Sequence, residues 1–234
     1  MALVKYGGGI IQMSGSIAGS VHARNHYGNY VRARTKPVNP QTARQTSIRA
    51  IFAQLTQRWA TVLTAVQREA WNLYGSSVAM KNHLGEVVYM TGYNHYLRSN
   101  TVVLQIGEAP IDAAPTVFNI PEQDPTFAIA ADGTTQTISY TFDNTLAWAI
   151  AIGGFLVKYM GQPQNPQRNF FNGPWRFHGI ITGAVTPPTT PDPETDPPFV
   201  FMDDQKIWCY GRILLVDGRL SEPFRAECIA ETVV

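Results

Sequence analysis

The sequence predicts an α+β protein of three parts: an extended glycine-rich arm over residues 1–38, a helical region over 39–107 and an all-β sandwich over 108–234. Three observations predict this order. Glycines interrupt the first part, apolar residues recur at helical spacing in the second, and apolar and polar residues alternate in the third. The length of 234 residues has room for one large domain or two small ones.

The first 38 residues combine glycines with large apolar side chains. The glycines are Gly7, Gly8, Gly9, Gly15, Gly19 and Gly28. Because glycine costs backbone entropy in regular elements, these positions break any periodic pattern. Isoleucines and tyrosines lie among them, however, and a solvated linker has no use for such groups. We therefore expect an extended arm that orders against another surface, of its own chain or of a neighbour.

A first helix is predicted over about 40–63. Asn39 followed by Pro40 is typical of a helix start, and Thr42 with Gln45 is an alternative capping box. The apolar residues at helical spacing are Ile48, Ile51, Phe52, Leu55, Trp59, Val62 and Leu63.

Two further helices are predicted. Thr64 and Gln67 form a second capping box, so a short helix is expected to start there and to stop at Gly75. With the first helix it forms a helical hairpin that has an aromatic contact. A third helix is expected to follow Thr91-Gly92 and to end at Gly107.

The third part has the alternation of a β-sheet. Residues 136–142 alternate cleanly, with three large side chains on one face: Ile138, Tyr140 and Phe142. Further strands are predicted over 155–159, 205–216 and 223–233. The pairs Asp132-Gly133 and Asp217-Gly218 are typical of hairpin turns.

The segment 187–198 carries six prolines and is predicted to be a stiff exposed loop that cannot lie in a central strand. Six or seven short strands over about 120 residues are typical of an immunoglobulin-like sandwich.

Charge is distributed unevenly along the chain. Residues 1–85 hold ten basic residues and one acidic residue, a net charge of +9, and residues 86–234 hold eight basic and sixteen acidic residues, a net charge of −8. This separation fits nucleic-acid binding, binding to an acidic protein surface, or head-to-tail packing of identical subunits.

The candidate interaction residues are Tyr27, Tyr30, Arg32, Arg34, Lys36, Arg44, Arg49, Trp59 and Trp71. Basic residues interleaved with tyrosines can bind phosphates and stack on bases. Alternatively, they pair with carboxylates of a neighbouring subunit. We favour the second interpretation because the acidic half of the same chain supplies the complement. Trp59 and Trp71 fit core contacts of the helical hairpin better than stacking platforms.

No catalytic, cofactor or metal motif is evident, so we expect no enzyme and no cofactor. Phosphate-loop, nucleophile-elbow and zinc-ligand patterns are all missing from the sequence. The acidic residues of 192–204 fit a solvated loop better than a calcium site. Cys209 and Cys228 lie on neighbouring predicted strands, where two packed thiols are favoured over a disulfide.

No membrane partner is expected either. The apolar run 146–157 ends at Lys158 and is too short to span a bilayer. The chain start lacks the pattern of a secretory signal, so synthesis in a cytoplasm is expected.

Several short motifs occur together in the first 107 residues. They include Gly15-Ser16-Ile17-Ala18-Gly19, Arg32-Ala33-Arg34, Lys36-Pro37-Val38-Asn39-Pro40-Gln41-Thr42, Trp71-Asn72 and Thr91-Gly92-Tyr93. This combination resembles uncharacterised phage and prophage proteins. In the second half, Ile207–Arg212 and Asp217–Pro223 look like the last hairpin of a fibronectin type III-like domain.

The resemblance implies a structural protein of the virion, whose partners are other virion proteins and copies of itself. A capsid decoration or cement role is slightly preferred, and a tail or baseplate component is the alternative. A nucleic-acid-binding accessory protein is the second hypothesis. The third is a carbohydrate-binding module that uses Phe170, Phe171 and Trp175.

Overall fold

The computed structural model describes residues 2–36, 38–82 and 84–231. The chain divides into two compact units, Met1–His95 and Tyr96–Val234. Helices and antiparallel sheets both occur, so the protein is of the α+β class. None of the described helices is long and apolar enough to cross a membrane.

The first unit begins with a four-stranded antiparallel sheet where we expected an extended arm. Its strands are β1 (Ala2–Leu3), β2 (Gly15–Ile17), β3 (Ser20–Asn25) and β4 (Gly28–Ala33), in the order β1-β4-β3-β2. Asn25 pairs with Gly28 across a tight turn, where Gly28 has a positive φ of 117°. The glycine thus supplies turn geometry between two strands and does not disrupt them. Residues 2–33 are therefore a sheet and not a single extended segment.

Two helices follow, α1 (Ala43–Thr61) and α2 (Ala65–Ser77). Thr42 caps α1, because its hydroxyl accepts a hydrogen bond from the backbone N–H of Gln45 at 3.3 Å. The alternative start is thus confirmed, and the start at Pro40 is wrong. Thr64 and Gln67 form the predicted capping box of α2.

Gly75 was predicted to end α2, but it lies buried within the helix. A Cβ at this position would be 2.6 Å from the carbonyl oxygen of Met90. The glycine therefore lets a neighbouring backbone segment approach the helix closely, and the helix continues to Ser77.

A two-stranded sheet and a third helix complete this region: β5 (Ala79–Lys81), β6 (Val87–Tyr89) and α3 (Gly92–Gln105). Gly107 ends α3 as predicted, with a positive φ of 89°. The N–H of Glu108 donates to the carbonyl oxygen of Val103, and the N–H of Gly107 donates to the carbonyl oxygen of Leu104. These two hydrogen bonds form a Schellman motif.

The second unit contains two antiparallel sheets. One has the order β10-β9-β12-β13 and the other β11-β8-β7. Their strands are β7 (Ala128–Asp132), β8 (Thr137–Thr141), β9 (Phe155–Gly161), β10 (Trp175–Thr182), β11 (Asp192–Glu194), β12 (Lys206–Leu214) and β13 (Phe224–Ile229). The predicted turns at Asp132-Gly133 and Asp217-Gly218 join β7 to β8 and β12 to β13.

Side chains of both sheets meet in one core. Ile138 and Tyr140 from β8 pack with Leu156 and Met160 from β9 and with Ile207 from β12. The predicted inward face of 136–142 is confirmed, because Ile138, Tyr140 and Phe142 are all buried.

The opposite face of β9 is also covered. Val102 and Val103 of α3 pack against Phe155, Val157 and Tyr159. Strand β9 is consequently buried along its whole length. The second unit thus includes the last part of α3, whereas we expected the sandwich to begin at residue 108.

The proline-rich segment is more ordered than the predicted loop. Asp192–Glu194 forms β11, which pairs with β8 at the edge of its sheet. An edge strand tolerates Pro193, which has no N–H to donate. Cys209 and Cys228 are free thiols, as favoured, and occupy diagonal positions on β12 and β13.

Candidate functional site

The predicted basic residues of the first unit lie on the surface. Tyr30 and Arg32 share one face of β4, opposite Ala23 and Val21 of β3. Arg32 is exposed, as are Arg34 and Lys36, which follow the strand. The alternating basic residues therefore form a surface that a partner can reach.

Tyr27 lies in the turn between β3 and β4. Its hydroxyl accepts a hydrogen bond of 3.0 Å from Nδ2 of Asn94, and its ring lies edge-on to His26 at 5.4 Å. This contact ties the turn to the start of α3, so Tyr27 is partly engaged within its own unit.

The remaining candidates lie on the helices. Arg44 and Arg49 are exposed, and Arg49 donates to Oδ1 of Asn39 at 2.8 Å. Trp59 is half-buried and lies edge-on to Tyr93 at 5.5 Å. Trp71 is fully buried and packs against Tyr74, so it is a core residue that no partner can contact.

A shallow depression lies beside the N-terminal sheet. Its lining includes Leu3, Tyr6, Ile11 and Leu84. Lys5 and Glu86 form an ion pair at its rim. The Ile11 side chain is 90% exposed, so this surface offers apolar contact area beside the start of β4, where Gly28 and Asn29 line it.

A second feature, which we did not predict, is a buried cluster of polar side chains in the second unit. Lys158 projects from β9 into the core between the two sheets, and its side chain is 0% exposed. Its Nζ lies 2.9 Å from Oδ2 of Asp192 and 2.7 Å from Oε2 of Glu194. Both carboxylates come from β11 at the edge of the facing sheet.

The alternation of a strand places the two carboxylates together. Asp192 pairs with Tyr140 and Glu194 with Ile138, and these two partners are inward-facing core residues. Residues two apart on a strand share a face, so both carboxylates point inward. Our expectation of a solvated loop is therefore wrong for Asp192 and Glu194.

Tyr140 extends the cluster. The Tyr140 ring lies under the amine of Lys158, and the distance from the ring centroid to Nζ is 4.8 Å. Its hydroxyl lies 2.6 Å from Nδ1 of His178 and 3.4 Å from Sγ of Cys209. Burial raises the pKa of Tyr140 well above its ordinary value.

Burial also keeps the neighbours of Tyr140 neutral. It lowers the pKa of His178 to about 4 and raises the pKa of the Cys209 thiol to about 12. The imidazole of His178 and the thiol of Cys209 are therefore neutral at neutral pH. Because the Cys209 thiol is buried and protonated, it is not a nucleophile.

The one sequence signal for this cluster is a lysine in the middle of the apolar strand Phe155-Leu156-Val157-Lys158-Tyr159-Met160. A lysine is almost never fully buried unless it is paired. The identity of its partners could not be read from the sequence, because they lie more than thirty residues away in a proline-rich segment.

The acidic residues do not form a metal site among the described parts of the chain, where no group of three or more potential ligands converges. The carboxylates of Asp192 and Glu194 are instead occupied by the ammonium of Lys158.

An aromatic surface lies on the outer face of the larger sheet. Trp175 lies edge-on to Phe171 and Tyr210, each at 4.9 Å, and Phe171 stacks on Trp208 at 5.5 Å. Of the residues expected to contact sugar, Phe171 is buried and Phe170 is exposed. The loop is folded over its own sheet, which weakens the carbohydrate hypothesis.

Comparison of the chain with protein-family models, with curated proteins and with solved structures finds no match. The resemblance to phage proteins therefore remains a prediction.

Proposed function

We propose that this protein is a non-enzymatic structural component of a phage virion, which docks through its first unit onto a lattice of virion proteins. A capsid decoration or cement role is preferred, and a tail or baseplate position is the alternative. The observation that carries the proposal is the four-stranded sheet of residues 2–33, which has no buried side chain among its described strand residues.

Such a sheet needs a partner surface. Small sheets depend on a hydrophobic face or on packing against another element for their stability. Strands β3 and β4 have half-buried or exposed side chains only, and β2 is exposed throughout. A covering protein would supply the missing burial.

The rest of the first unit has the same character. Among its described residues, eleven large apolar side chains are exposed and five are buried. The exposed set is Ile10, Ile11, Ile17, Val38, Phe52, Val62, Val66, Leu73, Leu84, Val87 and Tyr89. Helix α1 has nineteen residues, of which only Leu55 is buried. This amount of exposed apolar surface favours assembly over an isolated existence.

Charge indicates the kind of partner. Residues 1–95 carry ten basic and two acidic residues, a net charge of +8, and residues 96–234 carry eight basic and fifteen acidic residues, a net charge of −7. The second unit of a neighbouring copy is thus electrostatically complementary to the first unit. We propose copies of this chain as one partner, with other acidic virion proteins as the lattice.

The second unit fits a bracing or projecting domain. We propose an immunoglobulin- or fibronectin type III-like sandwich, supported by its seven strands in two facing sheets with one core.

Particle incorporation tests the proposal directly. We expect the full chain to co-purify with virions and a variant lacking residues 1–38 to be absent from them, while its second unit stays folded. Circular dichroism of the truncated protein provides the folding control. Normal incorporation of the truncated protein would reject the docking role of the sheet.

Self-association is tested by charge reversal. The double variant Arg32→Glu, Arg34→Glu should weaken self-association measured by sedimentation at low salt, because it reverses two exposed positive charges at the end of β4 and just after it. Arg68→Glu with Lys81→Glu changes the net charge equally at other sites and should associate like the unmodified protein. If both double variants weakened self-association equally, the effect would come from net charge alone and not from the position of Arg32 and Arg34.

The exposed basic residues Arg32, Arg34 and Lys36 also support a second candidate, a nucleic-acid-binding accessory protein. It predicts DNA binding by the full chain whose affinity falls steeply with salt and falls further in the Arg32→Glu, Arg34→Glu variant. Lack of binding at low salt would remove this candidate.

A further inference from the structure

The amine of Lys158 lies close to the carboxyl groups of both Asp192 and Glu194. The lysine side chain is 0% exposed, and those of Asp192 and Glu194 are each 33% exposed. A single Nζ atom therefore meets two carboxyl groups at the margin of an apolar core. We propose that Lys158 and Asp192 condense to an intramolecular amide bond, with Glu194 as the proton-transfer group.

The reaction balances without any co-reactant. The ammonium of Lys158 gives one proton to the carboxylate of Asp192, and the free amine attacks Cγ of the resulting carboxylic acid. The N–C bond forms, Glu194 takes a second proton from the nitrogen and passes it to the departing hydroxyl, and the C–O bond breaks so that one water leaves. The products are a neutral amide and water, and no group is oxidised or reduced.

The short distance between Lys158 and Asp192 favours the reaction. The fold holds Nζ 2.9 Å from Oδ2 of Asp192, so the amine lies beside the carboxyl group that it attacks, and such proximity gives intramolecular reactions large effective concentrations. Both strands are fixed, because β9 is buried along its length and β11 is paired with β8.

The surroundings favour a neutral product over an ion pair. The Tyr140 ring lies 4.8 Å from Nζ, and Leu156 and Met160 flank Lys158 on the inward face of β9. Charges cost free energy in such an environment, whereas an amide carries none. The partial exposure of the two carboxyl groups gives the released water a route to solvent.

The neighbours of Glu194 support its assignment as the proton-transfer group. The charge of Glu194 acts on both Tyr140 and His178, which are hydrogen-bonded to each other at 2.6 Å. Its Oε2 also lies 2.7 Å from Nζ of Lys158, within reach of direct proton transfer. Asp192 pairs with Tyr140 along the strand and has the shorter side chain, so its carboxyl group has less conformational freedom beside the lysine, although Oε2 of Glu194 lies closer to Nζ, at 2.7 Å against 2.9 Å.

The bond would join the two sheets of the second unit. Lys158 belongs to the sheet β10-β9-β12-β13, and Asp192 to the edge of the sheet β11-β8-β7. A covalent link there prevents the edge strand from separating.

Mass spectrometry of the full chain under denaturing conditions tests the proposal. We expect the protein to be lighter than its sequence by the mass of one water, and a protease digest to yield one branched peptide that joins Lys158 to Asp192. Lys158→Met and Asp192→Ala should each restore the uncondensed mass, after correction for the substitution. Glu194→Gln should slow bond formation about a hundredfold.

Asp196→Asn is the matched control, because Asp196 is an exposed carboxylate of the same segment, and this variant should retain the loss of water. An unmodified protein whose mass equals its sequence mass would overturn the proposal, and this result does not depend on whether any variant folds. A branched peptide that joins Lys158 to Glu194 would also overturn it, because it would reverse the roles of the two carboxyl groups.

Discussion

At the residue scale, the role of each glycine depends on what surrounds its missing Cβ. Gly7 has open space around it, whereas Gly75 faces the backbone of Met90 and Gly92 within 3 Å. Gly28 is required for a third reason, its positive φ in the turn between β3 and β4. Only the tertiary environment separates these cases, because the sequence shows the same residue each time.

Gly75→Ala should destabilise the protein by about 1–3 kcal/mol, because the added methyl group overlaps backbone atoms that cannot move aside easily. This cost outweighs the gain in helix propensity that alanine brings. Urea unfolding followed by tryptophan fluorescence measures the change. Gly7→Ala, at an open position, is the control and should be close to neutral, and equal stability of both variants would contradict the close packing at Gly75.

The stability of the second unit depends on pH through His178. Its pKa is lowered by burial to about 4 in the folded protein, against an ordinary value near 6.5. Between these values the unfolded chain binds a proton that the folded chain does not, so stability is lost as the pH falls from about 6.5 to about 4. The loss amounts to up to about 3 kcal/mol.

His178→Gln should flatten this dependence, because it removes the titrating imidazole. Thermal unfolding between pH 7 and pH 4, compared with the unmodified protein, measures the difference in slope. The exposed His26 provides a control through His26→Gln, which should keep the original slope. An unchanged slope in His178→Gln would show that other groups control the acid response.

At the scale of elements, local signals predicted the helices well. The capping box of Thr64 and Gln67 and the terminal Gly107 lie where the sequence placed them. The N-terminal strands were missed because their pattern contains glycines and charged residues and has no strongly apolar face. The pairing of these strands depends on turn geometry and on contacts outside each strand. The periodicity of apolar residues in the sequence predicts neither of these.

Thr64→Ala should destabilise α2 by about 1 kcal/mol, because the backbone N–H of Gln67 loses its acceptor at the helix start. Chemical denaturation measures the change in the free energy of unfolding. Thr64→Ser keeps the hydroxyl and should retain most of the stability. A serine variant as unstable as the alanine variant would imply that the threonine methyl group matters more than the cap.

At the scale of the whole molecule, the division into units falls within the sequence of α3. Val102 and Val103 complete the core cluster that covers β9, and Arg98 donates to the carbonyls of Leu220 and Ser221 at 2.6 and 2.9 Å. A fragment that begins after α3 would expose these surfaces.

Residues 92–234 should therefore fold as an independent unit, and residues 108–234 should be less stable by about 3 kcal/mol or more from the lost burial of the two valines. Thermal unfolding of both fragments checks this. Equal stability would mean that the last part of α3 contributes little to the second unit.

The sequence alone determined the α+β class, the helix caps, the hairpin turns and the inward face of β8, because each depends on residues close in the chain. The tertiary structure decided the pairing of the N-terminal strands, the role of Gly75 and the partners of Lys158. These depend on backbone approach and on side chains distant in sequence. Lys158 illustrates the difference: the sequence shows a lysine in an apolar strand, and only the fold brings the carboxylates of β11 to its amine.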